Sequence, residues 1–217
     1  INYSNLKRFV FDVFKKIGLE KFSNHAVTNG ICEASLRGVD SHGIRLLPHY
    51  INSALYGRKN PNPKFKFKKI YPTIGKLDAN HAFGLAAGKK AIDYGMKIAH
   101  KYGVGIVTVI NSTHPGAMAS ITLQAARKNY ICWGFTHADS LLQSYNGKRS
   151  YFGTNPICVS VPRINEEPYC LDMATSKISW NKLLSFKDKK KNLNENLASD
   201  KNGLITKDPF LASSLIP

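Results

Sequence analysis

The run Val104-Gly105-Ile106-Val107-Thr108-Val109-Ile110 constrains this chain more than any other stretch. Six of its seven residues are β-branched, which favours an extended backbone over a helix. Because the run is continuously apolar rather than alternating, it predicts a strand buried on both faces, in a sheet covered by helices. Before it, Leu85, Ala86, Ala91, Ile92, Met96 and Ala99 fall at helical spacing between Phe83 and Tyr102, and Gly103 is a good stop. After it, a helix is expected over 116–128, then strands over 131–137, 157–162 and 169–174. Alternation of helix and strand argues for an α/β layer.

The first 57 residues read differently. Leu6, Phe9, Val10, Val13, Phe14 and Ile17 form an amphipathic stripe from Asn5 to Leu19, with Ser4 as a candidate cap. A second helix is expected from about Asn24 to Leu36, and a third through Leu46, Tyr50, Ile51, Ala54 and Leu55 up to Gly57. In NPNPKFKFKKIYPTIG, prolines punctuate a crossover and Phe65 and Phe67 alternate with lysines in strand fashion. The expected boundary therefore lies between Asn60 and Asp78, giving a helical domain over 1–70 and a mixed α/β domain over 71–217. Beyond Asp188 the sequence is rich in Lys and Asn, and only NGLITKDPF reads as a turn leading into a short helix. No internal repeat is visible.

Composition removes several classes. A length of 217 residues with 43% hydrophobic content supports a globular core in one large or two small domains, and no stretch has the roughly 20 apolar residues of a membrane helix. No secretory signal opens the chain, so a cytoplasmic protein with no membrane partner is expected. Cys32, Cys132, Cys158 and Cys170 are dispersed and lack zinc-site spacing, which predicts reduced, buried thiols and no metal. The net charge of +17 admits nucleic acid, an anionic small molecule, or lysine-biased usage on a solvated surface. Without a helix-turn-helix, zinc-finger or RNA-recognition signature, no nucleic-acid partner is expected.

Three constellations carry chemistry. In RGVDSHGIRLLPHY, residues 37–50, Ser41 and His42 are adjacent, Arg45 lies about one helical turn on, and Tyr50 follows. A His beside a hydroxyl shuttles protons near neutral pH, and Arg grips a carboxylate through paired hydrogen bonds. The bland reading of the same residues is a capped turn with a solvated His. In NSTHPGAMAS, residues 111–120, His114 follows the apolar run where strand gives way to helix, a common place for ligands at sheet edges. FTHADS (135–140), FGTNP (152–156) and DMATS (172–176) place short polar side chains at strand ends, suited to a ribose, amide or phosphate. No G-x-G-x-x-G follows a strand and no G-x-x-x-x-G-K-[ST] exists, which argues against a Rossmann or Walker site.

Taken in order, RGVDSHGIRLLPHY, LDANHAFG, VGIVTVINSTHPGA, FGTNP, LDMATS and DKNGLITKDP resemble the malate/L-lactate dehydrogenase family that lacks the Rossmann fold. The resemblance runs from the first helix to the last residue. It implies an N-terminal helical domain, a non-Rossmann mixed α/β domain that binds NAD or NADP, and a homodimer with its site in an interdomain cleft. Its reaction class is hydride transfer between a nicotinamide and a small 2-hydroxy or 2-oxo acid. Carried over by residue, His114 and His42 are the candidates for proton transfer, with His114 the direct acid/base and Ser41 orienting His42. Arg45 and Tyr50, with His114, would bind the substrate carboxylate. Ala138, Asp139, Thr154, Asn155, Asp172, Met173 and Ala174 would meet the cofactor. Pro115 departs from the family's HFGA pattern and removes a backbone donor, which is tolerated at a helix start. Relatives also continue into a Gly-rich GGxKGxG segment that supplies a lysine, so the alternative expectation is a fragment or a truncated, catalytically inactive remnant.

Overall fold

The computed structural model describes residues 1–217 and shows a mixed α/β chain. Helices α1 (Tyr3–Lys16), α2 (Lys21–Leu36) and α3 (Leu47–Leu55) come first. Strand β1 (Lys66–Tyr71) turns into β2 (Ile74–Ala82), followed by α4 (Gly84–Tyr102), β3 (Ile106–Ser112) and α5 (Ala119–Ala126). The remaining elements are β4 (Cys132–Phe135), β5 (Ser140–Gln143), β6 (Ser150–Gly153), β7 (Ile157–Val161), β8 (Tyr169–Met173), α6 (Trp180–Asp188), β9 (Ala198–Ser199) and β10 (Ser214–Leu215). By contacts the chain divides into two compact units, one of Ile1–Cys132 with Val159–Cys170, the other of Trp133–Cys158 with Leu171–Pro217. This partition differs from one at residues 70 and 71, because α4 and α5 pack onto α2.

The first unit is built on helix–helix packing and one βαβ crossover. Asn2 rather than Ser4 caps α1, its Oδ1 accepting from the amides of Ser4 and Asn5. Glu20 caps α2 in the same way, receiving the amides of Phe22 and Ser23, so that helix starts earlier than its apolar spacing alone indicates. Val10, Phe14, Val27, Ile31, Tyr50, Phe83 and Leu123 are buried to within about one per cent and form the core. Gly30 admits Leu85, since a Cβ there would lie 2.6 Å from Leu85 Cδ2. The sheet is ordered β1-β2-β3, with β1 antiparallel to β2 and β2 parallel to β3 across α4.

Strand β3 corrects one expectation. The run is extended, yet Ile106 keeps 50% of its surface, and Val109 and Ile110 more than a third. It is the edge strand of its sheet, and α4 packs against it. Continuous hydrophobicity reports what the strand needs, and the neighbour that meets the need is not encoded in the strand itself.

The second unit has its own core of Leu142, Leu183, Leu193, Ala198, Ala212 and Leu215, with Trp180 packed against it. Its sheet runs β6-β5-β10-β9. The hairpin of β5 and β6 occupies a stretch whose sequence reads as a polar loop, and α6 lies outside the expected elements. NGLITKDPF forms no helix, since Asp200 and Asp208 accept backbone amides locally and stabilise turns instead. The last sheet is ordered β4-β7-β8. On β4, Trp133 and Phe135 are both more than 60% exposed and stack at 6.1 Å between ring centroids.

Cys32 and Cys158 are buried, Cys132 and Cys170 half-buried, and none of the four is in a disulfide. No helix is long and apolar enough to cross a membrane.

Candidate active site

Residues 37–50 fold as two short 3-10 turns, Asp40–His42 and Ile44–Leu46, leading directly into α3. Gly43 lets these turns press on α2, because a Cβ there would fall 2.2 Å from Ser35 Oγ, which instead receives the Ile44 amide. The result holds Ser41 and His42 half-buried, with Ser41 Oγ 2.9 Å from His42 Nδ1. Arg45 lies in the second turn, also half-buried. Pro48 sits in the first turn of α3, where its missing amide costs nothing, and Tyr50 follows.

His114 reaches the same place from far along the chain. It lies in the irregular segment between β3 and α5, where Gly116 has a φ of +71° and turns the chain toward the helix. Its Nδ1 is 3.2 Å from the Tyr50 hydroxyl, and its ring stacks on His42 with centroids 5.5 Å apart. Tyr50 is buried edge-on against Phe83. Its hydroxyl, expected at a substrate carboxylate, also hydrogen-bonds to His114. Burial raises the Tyr50 pKa, so the phenol stays protonated. Close packing of protein atoms around the His114 ring, then the charges of His42, Lys59 and His49, push its pKa down to about 3. His114 is an exposed residue, so water screens part of the neighbouring charge, and the resting ring is neutral.

A lysine completes the cluster. Lys59 is 4% exposed, its Nζ lying 4.6 Å from the Tyr50 ring centroid and donating to Thr113 Oγ1 at 3.2 Å. Burial and then Arg58 push its pKa down to about 8. Thr113 Oγ1 also accepts from the Gly84 amide and donates to the Ala82 carbonyl.

In the second unit the three polar loops converge. Asn155, with φ +32°, accepts the Ala138 amide on Oδ1 at 3.1 Å. The Thr154 carbonyl accepts from the amide and the hydroxyl of Thr175. Gly153 permits this approach, since a Cβ would lie 2.3 Å from the Ala138 carbonyl oxygen. Asp139, Asp172 and Met173 are exposed, and Ala138, Thr154 and Ala174 are half-buried. Each site residue expected from sequence thus lies within one unit: Ser41, His42, Arg45, Tyr50 and His114 in the first, the seven cofactor candidates in the second.

The family profile described as malate/L-lactate dehydrogenase matches residues 1–217. The chain belongs to that family. Among its relatives, ureidoglycolate dehydrogenase (NAD(+)) of Escherichia coli K12 is 29% identical over all of this chain and 62% of its own length. L-sulfolactate dehydrogenase of Methanocaldococcus jannaschii is 33% identical over 96% of this chain and 60% of its own. The crystal structure of malate dehydrogenase from Entamoeba histolytica superposes with a TM-score of 0.93 at 31% identity, covering 97% of this chain and 58% of that one. This member of the malate/L-lactate dehydrogenase family therefore spans about three fifths of the length of the curated relatives it matches.

Sequence reasoning about this family member missed Lys59 and Thr113. Lys59 is one of 31 Lys and Arg residues and stands in GRKNPNP, a stretch that reads as a solvated turn. Thr113 is an ordinary strand-end residue until its three hydrogen bonds are seen. No local signal distinguishes either.

Proposed function

We propose that the chain carries the proton-transfer group and cofactor loops of an NAD-dependent dehydrogenase acting on a small 2-hydroxy or 2-oxo acid. The observation that carries this reading is the Tyr50–His114 hydrogen bond, stacked on a second histidine oriented by Ser41. Sequence-distant residues brought together in this way form a proton-transfer constellation at neutral pH.

In the oxidising direction, neutral His114 accepts the hydroxyl proton of the substrate. Tyr50, on Nδ1, fixes the ring so that Nε2 is the working atom. In the reducing direction His114 must carry the proton, and the incoming substrate carboxylate raises its pKa by supplying a nearby negative charge. Arg45 holds that carboxylate by paired hydrogen bonds. His42 and Ser41 keep the second ring in its stacked position.

The polar loops fit a nicotinamide dinucleotide by the chemistry of their groups. Asp139 and Asp172 offer carboxylates to ribose hydroxyls, and exposed Met173 offers apolar surface to the nicotinamide. Bound there, the nicotinamide would donate or accept the hydride. Ala138, Thr154, Asn155 and Ala174 shape the cradle. NADP as an alternative cofactor, a homodimeric assembly and a cytoplasmic location complete the proposal; four cysteines with no disulfide among them support the reducing compartment.

The test is nicotinamide fluorescence during titration with NADH and NADPH, followed by turnover of 2-oxo acids by wild type and His114→Asn. Saturable NADH binding with turnover lost in His114→Asn supports the proposal. No saturation at millimolar cofactor sinks it for this chain and favours the inactive remnant.

A further inference from the structure

We infer that Lys59 is a positioning residue that anchors the His114 loop through the Thr113 hydroxyl and fixes a positive charge beside the His114–Tyr50 pair. This rests on His114 being the proton-transfer group.

The anchoring follows from hydrogen-bond capacity. A threonine hydroxyl has one proton and two lone pairs. Thr113 gives the proton to the Ala82 carbonyl and receives Lys59 Nζ and the Gly84 amide, so every site on it is used. His114 is the next residue, and its backbone rests against Gly84, where a Cβ would lie 2.5 Å from its carbonyl oxygen. Lys59 is tied down in turn: its own amide donates to the Ser53 carbonyl of α3, the helix that carries Tyr50. One residue, through its backbone amide and its side chain, therefore links the element holding Tyr50 to the loop holding His114.

The charge is placed with equal care. An ammonium this buried is costly, and its position over the Tyr50 ring, 4.6 Å from the centroid, and near Phe83 at 5.4 Å recovers part of that cost. Around His114 the titratable groups are His42 on the preceding turn, His49 and Tyr50 on α3, and Lys59, with Arg58 adjoining Lys59. Burial, then the charges of Lys59 and Arg58, push the His49 pKa down, whereas the Lys59 ammonium stays charged at pH 7. It biases His114 toward the neutral, proton-accepting form and makes the protonated ring a stronger acid.

The experiment is a ring-resolved NMR titration of the full chain with labelled histidines, assigned with His114→Ala, in wild type, Lys59→Met, Lys59→Gln and Thr113→Val. Removing the charge should raise the His114 midpoint by about half a unit or more. Thr113→Val keeps the charge and loosens the anchor, so its midpoint stays low while the ring nitrogen shifts report a mixed tautomer. The inference is overturned if both Lys59 variants titrate as wild type, or if Thr113→Val raises the midpoint as far as they do. Lys59→Gln keeps the test decisive if Lys59→Met fails to fold. No cofactor or turnover enters this measurement, so its failure is distinct from failure of the dehydrogenase proposal, which His114→Asn turnover decides.

Discussion

The hydroxyl of Tyr50 lies 3.2 Å from Nδ1 of His114, joining residues 64 positions apart in the chain. Tyr50→Phe removes this bond and keeps the ring against Phe83. Turnover should fall by about 10- to 100-fold, in line with loss of an orienting partner, while stability changes by no more than about 1 kcal/mol. Steady-state kinetics beside thermal melts check the split, and a stability loss without a kinetic one contradicts it.

Gly84→Ala tests the seat of the His114 loop. The new Cβ would meet the carbonyl oxygens of Thr113 at 2.3 Å and His114 at 2.5 Å, both backbone atoms that cannot rotate away. A cost of about 1–3 kcal/mol is expected, together with loss of the Tyr50–His114 contact. Urea denaturation and the His114 ring shifts measure the two effects.

Gly153→Ala addresses the cofactor loops in the same manner. Its Cβ would lie 2.3 Å from the Ala138 carbonyl oxygen and 2.4 Å from Asn155 Oδ1, forcing the loops apart. NADH affinity should drop by about tenfold or more, since misplacing several contacts costs well over 1 kcal/mol. Unchanged fluorescence titration would remove these loops from the binding site.

Lys59 makes stability depend on alkaline pH with a definite sign. Its pKa is pushed down to about 8 in the folded chain from 10.5, so between these values the unfolded chain binds more protons. Stability contributed by this group therefore rises with pH across that window. Lys59→Met should be more stable than wild type at pH 7 by up to about 3 kcal/mol, an advantage that shrinks toward pH 10. Chemical denaturation of both proteins at pH 7, 8.5 and 10 shows whether the gap narrows.

Much of the fold is legible in local pattern. The stripe of Phe9, Val10, Val13, Phe14 and Ile17 and the stop at Gly103, with φ +82°, are near-neighbour effects, and the elements follow. Ser41, His42, Arg45, Tyr50 and His114 stand out as polar residues where helix or strand gives way to a turn, and their expected roles come from the family resemblance. What escapes is set by tertiary context. The exposure of β3 depends on its place at the sheet edge, and the β5–β6 hairpin on pairing within the second unit. The Tyr50–His114 hydrogen bond needs the loop's path in space. Lys59 escapes for the same reason: in a lysine-rich chain, its burial is invisible until α3, Phe83 and the His114 loop are seen around it.

The exposed Trp133 gives the chain an internal optical reporter. Only two tryptophans are present, and the other, Trp180, packs on the core of Leu183 and its neighbours. Emission from Trp133 should be red-shifted and readily quenched by iodide. Any surface that comes to lie over β4 would shift that component to the blue and shield it, leaving Trp180 as the unchanged internal reference.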